Sequence, residues 1–237
     1  MEISNKQTIG EIVARDYRTA SVFQARGIDF CCKGNRSIDE VCQSKNIAAP
    51  DLLQELQTVV LSQEKLAADY ASWPLDLLAD YVEKKHHRYV AQKSPELMQY
   101  LNKLCQVHGE RHPELLEIRD EFAHVASELA EHMQKEEMIL FPFVRTLATE
   151  KHPVLPPFGS VENPIRMMMH EHTVEGDRLA RISQLSSEYT APQDGCTTYS
   201  VAFAMLKEFE EDLHLHIHLE NNIMFPRAIA LEKQQAN

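Results

Sequence analysis

The sequence predicts an all-α protein, a four-helix bundle preceded by a small helical N-terminal domain, and two observations predict it. After residue 74, four stretches carry apolar residues every three or four positions, the period of a helix that buries one face. Before it the helical signals are short, and the chemistry changes at the same place. Cys31, Cys32 and Cys42 are three of the five cysteines, whereas all twelve histidines lie between His86 and His218. Residues 1–70 and 74–232 are therefore expected to form two modules. The break falls in DYASWP, where Pro74 suits the first position of a helix and Ser72 precedes it as a capping candidate.

In the N-terminal module, Thr8 to Glu11 and Ser37 to Glu40 both match the S/T-x-x-E capping box, and Gly27 sits where a helix starting near Thr19 would stop. Asp51 to Ala68 is expected to be its last helix. About 70 residues bury only a small core, so this module is expected to pack on the second one or on another copy of itself. The whole chain has 237 residues and a formal net charge of −12, which disfavours nonspecific nucleic-acid or anionic-membrane surfaces as partners. No apolar stretch approaches the roughly 18 residues that span a bilayer, and MEISNKQTIGEI lacks the apolar core of a secretory signal. The odd number of cysteines, with no CxxC pair, argues for reduced thiols, and the expected location is the cytoplasm.

The first bundle stripe reads Leu75, Leu78, Val82, His86, Tyr89, and the second Ile118, Phe122, Val125, Leu129, His132, Glu136, Ile139, Phe143. The third reads Ile165, Met168, His172, Gly176, Leu179, Ile182, and the fourth Ala202, Leu206, Phe209, Leu213, His216, Glu220, Ile223. Each carries one histidine in the buried register. Residues two apart on a helix point about 200° apart, so His170, His214 and His218 are expected to face away. His87 and His124 fall one step off their stripes, and His112 and His152 precede prolines in connections. These are read as solvated imidazoles or as groups backing others. Glu136 and Glu220 are different, because an ionised carboxylate in a bundle core costs several kcal/mol unless a cation compensates it. Lys and Arg are absent from these registers, and a metal ion would remove the penalty.

HMQKEEMILFP at 132–142 and HIHLENNIMFP at 216–226 share the frame H-x-x-x-E-x-x-I-x-F-P, 84 positions apart. His and Glu four apart lie on one face of a helix, so each copy offers a nitrogen and a carboxylate oxygen to one point. The two halves are therefore quasi-equivalent helix pairs. Six ligands exceed a tetrahedral zinc site, and imidazole with carboxylate suits two ions of iron, manganese or zinc. The other bundle pattern, paired Glu-x-x-His motifs, is offered by Glu83 to His86, Glu121 to His124 and Glu211 to His214, but none recurs in the repeated frame. Pro142 and Pro226 each remove a helical hydrogen bond just past the site, which loosens that end or simply kinks the helix.

The repeated frame, the preceding EKKHH and MHEHTVEG resemble the hemerythrin-like domain of the iron-sulfur cluster repair di-iron proteins, the RIC or ScdA family. GIDFCCKGNRSIDEVC is similar to the cysteine-bearing module that precedes that domain. The resemblance implies a hemerythrin-like four-helix bundle holding two non-haem iron ions with a bridging oxo or hydroxo group, a cytoplasmic homodimer, and a role in restoring iron-sulfur clusters after oxidative or nitrosative damage. By position it makes His86, His132, His172 and His216 iron ligands and Glu136 and Glu220 bridging ligands. It adds His108 in CQVHGE, which spacing alone makes a helix-end residue. The family's double glycine after the cysteines is here Lys33-Gly34.

Seven such ligands would leave about one of twelve coordination positions open, where O₂ or NO would bind. Neighbouring cysteines strain badly if joined to each other, so Cys31 and Cys32 are expected to act as separate thiols, to pair across a dimer or to ligate a passing metal. They are expected to carry iron or electrons between the di-iron centre and a damaged cluster on a client protein. Two competing functions are reduction of nitric oxide or peroxide at the open site and reversible O₂ carriage or sensing.

Overall fold

A computed structural model describes residues 3–62, 68–150 and 156–236. His152 lies outside the described residues. Among them every regular element is helical, and a lone antiparallel bridge joins Thr8 to Ser37.

The N-terminal module holds α1 (Ile9–Arg15), α2 (Ala20–Ala25), α3 (Ile38–Lys45) and α4 (Ala49–Leu61). Both capping boxes form. Thr8 Oγ1 accepts the Glu11 N–H at 3.2 Å while Glu11 returns a carboxylate to the Thr8 N–H at 3.0 Å, and Ser37 and Glu40 do the same at 3.3 and 2.7 Å. Each box is worth about 1 kcal/mol. Gly27 stops α2 with φ of +59°, a conformation that glycine adopts without a Cβ penalty. The last helix is shorter than the expected 51–68; residues 63–67 of that span lie outside the described ones. Ile9, Ile12, Phe23, Ile38, Val41, Leu52 and Leu56 are fully buried and belong to one apolar cluster with bundle residues, so the module packs on the second module.

The bundle has four rods. Rod A (75–108) consists of α5 (Leu75–Tyr81), a π-helical turn at Val82–His87 and α6 (Arg88–His108). Rod B (114–149) consists of α7 (Glu114–Lys135), a π turn at Glu136–Leu140 and α8 (Phe141–Thr149). Rod C is α9 (Glu162–Leu185). Rod D (197–235) consists of α10 (Thr197–His218), a π turn at Leu219–Met224 and α11 (Phe225–Gln235). In rods B and D the wide turn ends just before Phe141-Pro142 and Phe225-Pro226, where proline cannot donate the regular i→i−4 bond.

A π turn adds a residue, so the buried stripe slips by one position as it passes through. In rod A the buried residues run Val82, then His86 and His87 side by side, then Val90, Ser94, Leu97, Leu101, Leu104 and His108. Val90, not Tyr89, continues the seam. In rod B the seam passes from Glu136 to Leu140 and Val144, and Ile139, expected inside, is 50% exposed. In rod C Glu175 rather than Gly176 turns inward. The described apolar core falls into two clusters: one holds Leu97, Phe122, Val125, Phe209, Leu213 and the N-terminal module, the other Leu78, Val144, Met168, Ile223 and Phe225. A polar layer of histidines and glutamates separates them, at the level of the three π turns.

Candidate metal centre

Two sets of four donors meet in this layer. His87, Glu136, His216 and Glu220 form one and His132, Glu136, His172 and Glu220 the other; within each set the ligand atoms all lie within 4.8 Å of one another. Both sets contain the same two carboxylates, and all six residues are buried.

The fourth imidazole is His87, not the expected His86. The π turn at Val82–His87 rotates the following residue into the layer. His86 instead places Nδ1 3.0 Å from Asp212 and stacks on His216 at 5.6 Å. The seam itself could have identified His87, since stepping back from Leu104 through Leu101, Leu97, Ser94 and Val90 in threes and fours lands on residue 87. The Glu-x-x-His alternative does not assemble: Glu83 pairs with Arg145, Glu121 with Arg178 at 2.9 Å, and His124 is exposed.

Three imidazoles are held from behind through Nδ1, so that Nε2 faces inward. Glu137 lies 2.8 Å from His87, Glu171 2.8 Å from His132, and the Asn221 amide oxygen 2.9 Å from His172. Such partners fix ring orientation and raise ligand basicity in metal sites. Facing the centre, His87 Nε2, both Glu136 oxygens and Glu220 Oε2 are buried without hydrogen-bond partners. Yet His87 Nε2 and Glu136 Oε2 are only 3.3 Å apart. Buried donors this close to one another could hold an ion between them.

The charges agree. Burial opposes ionisation of Glu136 and Glu220, and for Glu136 so does the neighbouring carboxylate, but the facing imidazoles outweigh this and hold both carboxyls below the ordinary range. Burial likewise opposes charge on His132, while Glu136 and Glu171 overcome it and raise that imidazole to about 10. The two carboxylates thus demand positive charge in an apolar surround, which divalent cations would supply. The donor set fits iron: imidazole nitrogen and carboxylate oxygen, without thiolate.

His108 is not brought to this layer. It lies 21 residues up rod A from His87, roughly 30 Å at a helical rise of about 1.5 Å per residue. There its Nε2 is 3.2 Å from Cys196 Sγ. His170 is exposed, as its register implies. His218 faces away from the centre but is buried, packed against Tyr17 and Phe30 at 5.6 and 6.0 Å, and His214 lies 5.8 Å from Phe30, so this face of rod D is a seam for the N-terminal module.

Cys31 and Cys32 sit at that seam. Their sulfurs are 3.6 Å apart, both thiols are free, and with the Asp29 carboxylate they form a third group of donors within 4.8 Å. Hydrogen bonding to Cys32, together with burial, pushes the Cys31 thiol up. Cys32 Sγ donates to the His172 carbonyl at 3.2 Å, an approach allowed by Gly176, whose absent Cβ would stand 3.2 Å from that sulfur. Asn221, which holds His172 through its oxygen, donates its amide N–H to the Cys31 carbonyl at 3.2 Å. Asn222 donates to Phe30 and lies where a Cβ on Gly10 or Gly34 would fall. Gly34 tolerates no side chain, because a Cβ there would meet the Phe30 carbonyl at 2.4 Å. A cavity of about 300 Å³ opens beside the pair, lined by Asp29, Cys31, Cys32, Lys33 and Asp177.

Among the described residues no helix is long and apolar enough to cross a membrane. The ScdA_N family, a domain of unknown function, matches residues 5–60, and the hemerythrin HHE cation binding domain matches residues 78–228. Over 224 residues the chain is 29% identical to the iron-sulfur cluster repair protein ScdA of Staphylococcus haemolyticus, covering 94% of this chain and 98% of that one. It is 30% identical to the iron-sulfur cluster repair protein YtfE of Yersinia pestis, covering 94% and 96%, and 29% identical to YtfE of Yersinia pseudotuberculosis with the same coverage. With an ScdA-type N-terminal region joined to a hemerythrin HHE domain whose buried donors form two overlapping sets, this chain belongs to the ScdA/YtfE family of iron-sulfur cluster repair proteins.

Proposed function

We propose that the chain takes part in repairing iron-sulfur clusters damaged by oxidative or nitrosative stress, by holding two iron ions and handing iron on. The observation that carries this reading is the sharing of Glu136 and Glu220 between two four-donor sets, with a pair of free thiols at the backbone of one ligand. His87, Glu136, His216 and Glu220 would hold one ion and His132, Glu136, His172 and Glu220 the other, with an oxo or hydroxo group completing the di-iron centre. Iron there would supply reversible one-electron chemistry and a Lewis-acidic site for a small molecule such as NO or O₂.

The chain's own residues orient the donors and exclude water. Glu137, Glu171 and Asn221 occupy the outer nitrogen of three imidazoles and keep each lone pair turned inward. The apolar clusters above and below leave the carboxylates no aqueous alternative to a cation. Asp29, Cys31 and Cys32 offer a carboxylate and two sulfurs to an ion in transit towards the client, an iron-sulfur protein. Five free cysteines suit the cytoplasm, and a homodimer is the assembly to look for by light scattering.

The test uses anaerobically purified full-length protein loaded with isotopically labelled iron. We expect about two irons per chain and transfer of label into an oxidatively damaged cluster of a client enzyme, with recovery of that enzyme's activity. Changing Cys31 and Cys32 together to Ser is expected to preserve iron content and abolish transfer. Protein that binds iron at this stoichiometry but leaves the damaged cluster unlabelled and unrestored would overturn the reading.

A further inference from the structure

At the end of the bundle remote from the π turns, rods A and D bring a nucleophile and a base together. Cys196 is exposed and is the residue before α10, a helix of 22 residues. His108, the last residue of α6, is only 4% exposed, its Nδ1 has no hydrogen-bond partner, and its Nε2 lies 3.2 Å from Cys196 Sγ. The imidazole is fixed by ring packing on Tyr199 at 5.4 Å and His112 at 6.4 Å. A buried ring with an unmet nitrogen, whose other nitrogen is aimed at an accessible sulfur, differs from a histidine satisfied by the core.

We propose that Cys196 and His108 form a second reactive centre, independent of the metal site, in which an imidazole-activated thiolate exchanges with the disulfides of small thiols. His108 takes the Cys196 proton, and the Cys196 sulfur attacks one sulfur of an R–S–S–R′ disulfide. The new S–S bond forms as the old one breaks, R′S⁻ leaves with the electron pair, and the His108 proton passes to it. The product is a mixed disulfide on Cys196, with no net electron transfer beyond the exchange.

The surroundings favour the anion. The hydrogen bond from His108, with the backbone N–H groups at the start of α10, lowers the thiol to about 7. The other groups facing the pair are tied to partners of their own. His112 bridges Glu114 and Asp194 at 3.1 and 3.0 Å, Arg111 pairs with Asp194 at 2.8 Å, the Thr198 side chain adds a hydrogen bond that also lowers the thiol, and the Tyr199 phenol is pushed up to about 12 by burial and stays neutral. Cys105, on the same rod, is directed to the Leu115 carbonyl at 3.3 Å.

A thiol near 7 rather than about 8.5 has roughly thirty times more thiolate at pH 6, offset by about a fivefold loss of intrinsic nucleophilicity. The net advantage is about sixfold at pH 6 and about threefold at pH 7. The test is the rate at which dithiodipyridine modifies each cysteine of the full-length, iron-loaded protein, read by peptide mass spectrometry from pH 5.5 to 9. Cys196 is expected to react with a midpoint near 7, and His108→Gln to move that midpoint above 8 and slow the pH 6 rate about sixfold. His112→Gln should leave the midpoint within half a unit, and Cys196→Ser should remove the phase without changing iron content. A wild-type midpoint near 8.5 would overturn the proposal with no variant needed; so would an unshifted midpoint in folded His108→Gln protein.

Discussion

The two four-donor sets share carboxylates yet stand in different surroundings. Between rods B and C, His132 and His172 are both held from behind, by Glu171 and Asn221, and Asn221 continues to the backbone of Cys31. Between rods A and D, Glu137 holds His87, but His216 has no partner on its outer nitrogen and is flanked only by rings, His87 at 5.0 Å, His86 at 5.6 Å and His172 at 6.5 Å. The repeated frame explains both likeness and difference. The residue after each glutamate ligand backs an imidazole of the neighbouring rod, Glu137 for His87 and Asn221 for His172. The residue before the first imidazole of each half should do likewise for the second imidazole of the other half. Glu171 does so for His132; at the corresponding place stands His86, which turns to Asp212 instead. One position of the B/C pair is thus coupled to the thiol module, and one position of the A/D pair is loosely held.

The largest effect should come from removing what the two positions share. Glu220→Ala is expected to reduce iron from about two per chain to near zero, because each ion loses a ligand and Glu136 is left to serve both; metal analysis after anaerobic gel filtration reads this. Retention of one full equivalent would show that the positions fill separately. Next in size is the choice between neighbouring histidines. His87→Ala should cost about one iron per chain, whereas His86→Ala should keep both and only weaken retention, and Mössbauer spectra of the two proteins would separate these outcomes. Equal losses would mean that the turn at Val82–His87 does not set the register.

Substituting the backing groups sharpens the contrast further. Asn221→Ala and Glu137→Ala should each lower iron affinity about 10- to 100-fold, as loss of such partners does in other metal sites. Asn221→Ala should in addition speed alkylation of Cys31, since one of the hydrogen bonds tying that loop to rod D is gone while those from Asn222 remain. If Glu137→Ala exposes Cys31 equally, the coupling is not specific to the B/C position.

The smallest effect lies outside the centre. Glu210 in rod D is buried, and burial, only partly offset by the Tyr189 hydroxyl, raises its carboxyl to about 7. Its folded value exceeds its unfolded one, so stability is complete below about 4.5 and is lost as pH rises through about 7, by at most about 3 kcal/mol. Glu210→Gln should therefore stabilise the protein in urea at pH 8 by part of that amount, change little at pH 4.5, and leave iron binding untouched.

Much of this arrangement was legible in the sequence. The two capping boxes and the Gly27 stop follow from local hydrogen bonding and backbone freedom, and the repeated His-x-x-x-Glu frame puts four donors on inward faces wherever the helix is regular. His87 was hidden because the stripe was read forward from Leu75 with a constant period, across a turn that is not α-helical. Ile139, three residues beyond Glu136, falls outside the seam for the same reason. Asn221, Glu171 and the seating of Cys32 on the His172 carbonyl depend on contacts between distant segments and leave no periodic trace. His108 occupies the buried seam, but a seam gives rotation and not height, and its height places it beside Cys196.

The three wide turns have a consequence for how the rods can change. Each offsets the angular phase of its helix by about 100° between one end and the other. The lower and upper halves of a rod therefore answer to different neighbours while meeting at the same imidazole and carboxylate level. Deleting a single residue there, such as Lys84, would straighten the backbone and yet spin a whole half-rod out of alignment, so chain length at these turns is constrained more tightly than the identity of the side chain that occupies them.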